Sequence, residues 1–246
     1  MSRETSYQAI IIKRQPYGEG DEILTLFTRE AGKVRALAKA TKMSKSKMRH
    51  ALQTLFLVKL TVTSVSSLPK IIGAETVKPF AKIRAGLEAI NMAFYALELL
   101  LKFTADEHKN ERLFVLVEEF LDLLDSAAAN KQILNLGLAK FKIEFLESSG
   151  LGIHYEESKK TGRVGFDSMR GGFVFDEDAE RTGRPVARQV FDLFLSLKHF
   201  SFGQIGDKEN LKVLSGFDLK PLQELLSGFI KYHLEREIKS EKYLEE

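Results

Sequence analysis

Apolar and polar positions alternate with a period of two through most of the first 80 residues. Between 52 and 63, Leu52, Thr54, Phe56, Val58, Leu60 and Val62 fall on one face, while Gln53, Lys59, Thr61 and Thr63 fall on the other, with Leu55 and Leu57 between them. This is the pattern of a half-buried strand, and it is rich in β-branched residues. Similar short runs occupy 7–14, 22–29, 33–40 and 70–77, separated by Gly- and Pro-containing breaks at 16–21, 30–32 and 64–69 and by a basic loop. Five short strands in so little chain predict a small closed or partly open barrel, because closure hides the edges of a small sheet. Within the third run, alternation places Lys33, Arg35 and Lys39 opposite Val34, Ala36 and Ala38.

The period changes at residue 81. Ile83, Leu87, Ile90, Phe94, Leu97 and Leu101 recur at steps of three and four, as an amphipathic helix requires. Leu113, Val117, Phe120 and Leu124 repeat that pattern, and so do Leu134, Leu138, Phe141 and Phe145. The last of these helices is apolar on other faces too (Ile133, Leu136, Ile143), which predicts a central place in a bundle, and Gly150 marks its end. Residues 151–184 follow neither period and hold six glycines, so they are expected to form a loop-rich insertion with one or two hairpins. Pro185 is expected to open a helix through Val190, Leu193 and Leu197. A final helix is expected from about Asp218 through Tyr232. The organisation read from this is a barrel at 1–80, a helical domain at 81–150 and 185–246, and the insertion at 151–184.

Charge sharpens the picture. The chain of 246 residues is 44% hydrophobic with a net charge of only +3. Residues 1–82, however, hold 15 Lys and Arg against 6 Asp and Glu, and the remainder has an acidic excess. From 33 to 49 there are seven cations (Lys33, Arg35, Lys39, Lys42, Lys45, Lys47 and Arg49) and no acid. Such segregation points to a polyanion partner. A small barrel with a positive groove is a platform for single-stranded nucleic acid, with Tyr17 and Phe56 as candidates for base stacking.

Catalytic signatures are absent. No phosphate-binding glycine loop, dinucleotide fingerprint, zincin helix or nucleophile elbow occurs, and the five histidines are scattered. With no cysteine there is no disulfide, thiol nucleophile or cysteine zinc site. The acidic run Asp176, Glu177, Asp178 and Glu180 raises metal-dependent nuclease chemistry as a competing reading. A polar start followed by a short apolar run makes no export signal, and no stretch is apolar enough to span a membrane. A soluble, cytoplasmic protein is expected.

The N-terminal run Ile11-Ile12-Lys13-Arg14-Gln15-Pro16-Tyr17-Gly18-Glu19, followed by Asp21-Glu22-Ile23-Leu24-Thr25-Leu26-Phe27-Thr28-Arg29-Glu30, Gly32-Lys33, Ala38-Lys39 and a Lys/Ser-rich loop, resembles the amino-terminal domain of RecO-type recombination mediators. The resemblance continues through Leu52-Gln53 and the 75–80 stretch to a helical region ending at Leu151-Gly152. It implies an α+β protein: an N-terminal five-stranded OB-fold, then a helical domain with a zinc-finger-like insertion. It also implies a non-enzymatic protein that binds single- and double-stranded DNA and anneals complementary strands. The implied partners are RecR and single-stranded-DNA-binding protein, so that RecA can load in recombinational repair.

The chain departs from that family in two places. Where many members carry two Cys-x-x-Cys pairs, this one has 158–162 and 175–178, without a cysteine, so no zinc is carried over and no cofactor is expected. The loop 39–44 also lacks the glycine and proline usual there. The expected DNA-binding set is Lys33, Arg35, Lys39, Lys42, Lys45, Lys47 and Arg49. Lys131 and Lys142, on one helix face, are candidates for docking the acidic tail of a partner. An RNA-binding barrel and a scaffold protein stand as alternatives.

Overall fold

The computed structural model describes residues 3–39, 48–64, 68–156, 162–234 and 237–244. Lys42, Lys45 and Lys47 lie outside these described residues. The architecture is mixed α+β, with a five-stranded barrel followed by a helical part, as the sequence pattern predicts. By packing, the chain divides into Met1–Asp125 with Ser240–Glu246, and Ser126–Lys239.

In the first unit, β1 (Arg3–Tyr17), β2 (Asp21–Thr28), β3 (Gly32–Ala38), β4 (Leu57–Ser64) and β5 (Lys70–Lys78) close in the order β1-β2-β3-β5-β4. Ala9, Ile11, Leu24, Leu26, Ala36, Ala38, Val58, Leu60, Val62 and Ile71 fill the interior. Each comes from alternate positions, as the pleat demands. The strand expected from residue 52 begins only at Leu57. Leu55 adopts φ 72°, which breaks the extended run, and Leu52 reaches the core from the turn after a short helix, α1 (Met48–Ala51). One barrel mouth is plugged by Arg14, which donates to Glu22 Oε2 at 2.7 Å and to Gln53 Oε1 at 3.0 Å.

Two helices, α2 (Leu87–Phe103) and α3 (Glu111–Ser126), complete this unit. The outward-facing Ile10 and Phe27 are fully buried, and Phe27 stacks on Phe114 of α3 with ring centroids 6.2 Å apart. Residues near the end of the chain return to α2. The Ser240 N–H and hydroxyl both donate to Glu98 Oε2, at 2.8 and 2.5 Å, and Asn91 Nδ2 donates to Tyr243 O at 2.9 Å.

The second unit centres on α4 (Lys131–Ser148), buried on most of its surface. Next come β6 (Val164–Asp167) and β7 (Gly172–Phe175), then α5 (Asp176–Arg181) and β8 (Arg184–Val186), forming a sheet of order β7-β6-β8. Pro185 therefore lies in a strand rather than opening a helix. β8 is an edge strand, the place in a sheet where a residue without an N–H is tolerated. The helix begins three residues later, as α6 (Arg188–His199). Short helices α7 (Phe202–Ile205) and α8 (Lys208–Leu214) lead to α9 (Lys220–Leu234), close to its expected place.

The cysteine-free insertion is held by an aromatic cluster. Phe173 lies 4.9 Å from Phe191 and 5.1 Å from Phe194, and Phe166 lies 5.3 Å from both Phe173 and Phe229. Phe175 joins through Phe191 at 5.2 Å. Full burial of one such side chain contributes about 1.5–3 kcal/mol.

Candidate nucleic-acid interface

The outer face of β1–β2–β3 is built by register. Lys13 pairs with Thr25 and Thr25 with Arg35, so the three side chains share one row. The next row is Gln15, Ile23 and Leu37; beyond it come Tyr17 paired with Asp21, and Lys39 just past the end of β3. Lys13, Arg35 and Lys39 are exposed, as is Tyr17, while Thr25 between the first two is small and buried. Lys13 and Arg35 stand two strands apart, about 10 Å at the usual strand spacing, so their long side chains can reach one phosphate backbone.

Lys13 owes its place to a β-bulge. The register shifts between Ile11 and Lys13, so Ile12 is an extra residue in β1. Without it Lys13 would share the inward parity of Ala9 and Ile11. The uniform run Ile10-Ile11-Ile12 carries no alternation from which the shift could be read, and the sequence expectation missed this residue.

Lys33 shares the outward parity of Arg35 but has another task. Its Nζ donates to Leu101 O at 3.2 Å and to Thr104 O at 2.5 Å, and pairs with Asp106 at 3.3 Å. These carbonyls belong to the C-terminal end of α2, where a cation is favoured by the unpaired acceptors and the helix dipole. With 12% of its side chain exposed, Lys33 is anchored rather than presented to solvent.

Arg49 is exposed on α1, by the barrel mouth, where its carbonyl accepts from Gln53 Nε2. Phe56 is half-buried beneath the guanidinium of Arg84, 5.4 Å from the ring centroid. In the second unit, Lys131 is exposed, whereas Lys142 is buried and donates to Ser227 Oγ at 2.7 Å, so they offer no common cationic surface.

The acidic run forms α5. Asp178 pairs with Arg170 at 3.3 Å and Glu180 with Arg163. Among the described residues no group of three or more His, Asp or Glu could hold a metal ion. With no cysteine in the chain, the donors present do not fit the zinc that the resemblance associates with this insertion.

A closed five-stranded barrel with exposed cations on its outer face, followed by helices, defines a class: proteins of the OB-fold type. Comparison with known proteins narrows it. The family model described as Recombination protein O N terminal matches residues 1–80, and Recombination protein O C terminal matches 84–242. The chain is 29% identical to the DNA repair protein RecO of Dehalococcoides mccartyi (strain CBDB1) over 95% of its length and 92% of that protein. It is 28% identical to the DNA repair protein RecO of Geobacter metallireducens over 98% and 97%, and to that of Myxococcus xanthus over 94% and 93%. The chain belongs to the recombination protein O family, a family of DNA repair and recombination proteins. Among the described residues no helix is long and apolar enough to cross a membrane.

Proposed function

We propose that this protein binds single- and double-stranded DNA irrespective of sequence and anneals complementary strands, with no catalytic step of its own. The observation that carries this reading is the shared outer face of Lys13, Arg35 and Lys39 on a barrel of this family. Cations on one surface neutralise phosphates, so two strands that repel each other in solution can lie together and search for register. No arrangement there selects a base, and phosphate contacts carry no sequence information. The proposed DNA-binding set also takes in Lys42, Lys45 and Lys47, which lie outside the described residues, and Arg49 on α1, while Lys13 takes the place first given to Lys33. By family likeness the protein works with RecR and with single-stranded-DNA-binding protein to help load RecA, in the cytoplasm at the nucleoid.

The test is annealing of complementary oligonucleotides coated with single-stranded-DNA-binding protein, in EDTA without Mg²⁺. Annealing faster than the protein-free control is the expected result. Strand cleavage that requires Mg²⁺, or no acceleration at all, refutes the reading. Competition between single-stranded DNA and RNA of one sequence separates DNA work from RNA work.

A further inference from the structure

The three exposed cations on the outer face of β1–β3 share that face with one exposed aromatic side chain. β1 ends at Tyr17, where Gly18 at φ 64° turns the chain toward β2. Counted from Lys13, the next outward residues of β1 are Gln15, opposite Ile23, and Tyr17, opposite Asp21. On β3 the same parity runs from Arg35 through Leu37 to Lys39, one residue beyond the Glu22–Ala38 pair. Lys13 and Arg35 thus stand in one row, Gln15, Ile23 and Leu37 in the next, and Tyr17, Asp21 and Lys39 in the last. Four residues of extended chain separate the first row from the last, roughly 13 Å at about 3.3 Å per residue. A strand of nucleic acid held at Lys13, Arg35 and Lys39 has the Tyr17 ring beside it.

Tyr17 is 54% exposed, whereas Phe27 is covered by Phe114 and Phe56 lies beneath the Arg84 guanidinium. A phenol ring offers little to a phosphate, and the half-buried Asp21 carboxylate next to it repels one. To a base the ring offers a flat apolar surface. Every base has a face that stacks, so the contact carries no sequence preference. Cations that hold phosphates beside a ring that takes a base are the combination by which single strands are bound. A duplex can use only half of it. Its phosphates still meet Lys13, Arg35 and Lys39, but its bases are paired and stacked on one another, and bringing one to Tyr17 requires unstacking it.

We infer that Tyr17 is a base platform that makes this face prefer single strands over duplex, stacking one unpaired base while Lys13, Arg35 and Lys39 hold its phosphates. The inference rests on the proposed DNA binding and adds to it a difference between reactant and product. Annealing withdraws the base from the ring, so the duplex is held by charge alone and leaves more readily than the strands that formed it.

The experiment titrates the full chain with a dye-labelled single strand of mixed sequence and with its blunt-ended duplex, and anisotropy reads both affinities across a range of salt. Tyr17→Ser is expected to weaken the single strand about tenfold, the size of one stacked base. Duplex affinity and both salt slopes should stay where they were, since no charge is altered. Tyr17→Phe, which keeps the ring, should bind both forms as the unsubstituted chain does. The chain contains no tryptophan, so Tyr17→Trp introduces a single indole. Its emission should be quenched by oligothymidylate and left nearly unchanged by duplex or by inorganic polyphosphate. Equal weakening of single strand and duplex by Tyr17→Ser would make Tyr17 a structural residue and overturn the platform, as would an unaffected single strand. Indole emission indifferent to saturating oligothymidylate also overturns it, by putting the base elsewhere. Failure of the unsubstituted chain to bind either form refutes the DNA-binding reading itself, and the platform with it.

Discussion

Lys33 is held at a helix end, whereas Lys13 is exposed on the outer face of the barrel, and the difference is measurable. Lys33→Met removes a charged donor from the carbonyls at the end of α2. Hydrogen bonds from a charged group contribute about 1.5–3 kcal/mol, so this variant should melt several degrees lower and keep its salt dependence of DNA binding. A drop in DNA affinity without a drop in melting temperature would return Lys33 to the DNA-binding face. Asp167 carries a pH dependence. Its Oδ1 accepts from the backbone N–H groups of Arg170 and Met169 at 3.1 and 2.9 Å, closing the β6–β7 turn. The backbone bond from Arg170, then the other donors and the Arg170 charge, hold its carboxyl below the usual range against the opposing effect of burial. A depressed folded pKa means that its stabilisation is present above the unfolded value of about 3.9 and is lost as pH falls through the folded value. Asp167→Asn, which keeps an acceptor but does not titrate, should flatten the stability–pH curve below about pH 4; an unchanged acid limb in thermal melts would remove Asp167 from that role.

At the level of elements, the outer face of β1–β3 predicts a salt slope. Each phosphate contact on a single strand contributes about −0.7 to the log–log dependence of affinity on salt. Removing the charges of Lys13, Arg35 and Lys39 together should therefore flatten the slope by about 2 and weaken all sequences alike. Thermal stability should hardly change, because exposed cations away from the core seldom affect it. An unaltered slope in the triple variant would leave this face a solvated surface. The same strands show where pattern reading stops. Alternation placed β2 and β3 to within two residues, although Thr25 and Phe27 on the outer side of β2 are buried as well. It missed the bulge at Ile12, where three isoleucines in a row are compatible with either parity. It also overran β4, because Leu52 keeps the parity of Val58, Leu60 and Val62 and is buried with them, although it precedes the strand.

At the scale of the whole molecule, packing divides the chain after Asp125, whereas the hydrophobic period changes at residue 81. Ile10 and Phe27 need cover on the outside of the barrel, so α2 and α3 group with the strands. In the second unit the Phe cluster makes two predictions. Phe173→Ala should cost about 3–5 kcal/mol, the usual range for a buried phenylalanine, read from denaturant unfolding. Exhaustive chelation should leave the melting temperature where it was; stoichiometric zinc in chelator-washed protein, or a chelator-induced fall, would contradict an insertion held by aromatic packing.

The amino-acid sequence by itself determined the period of each element, the segregation of charge toward the first 82 residues, the absence of cysteine and, through the order of its motifs, the family. These are local or summed properties, and they survive without knowing what packs on what. Only the tertiary structure decided that Lys13 faces outward, that Lys33 is spent on a helix end 68 residues away in the chain, and that Pro185 sits in an edge strand. Each depends on a bulge, a register or a distant partner, and hydrophobic pattern carries no information about those, because a strand's parity is reset by one extra residue and a cation's role is set by the acceptors that folding brings to it.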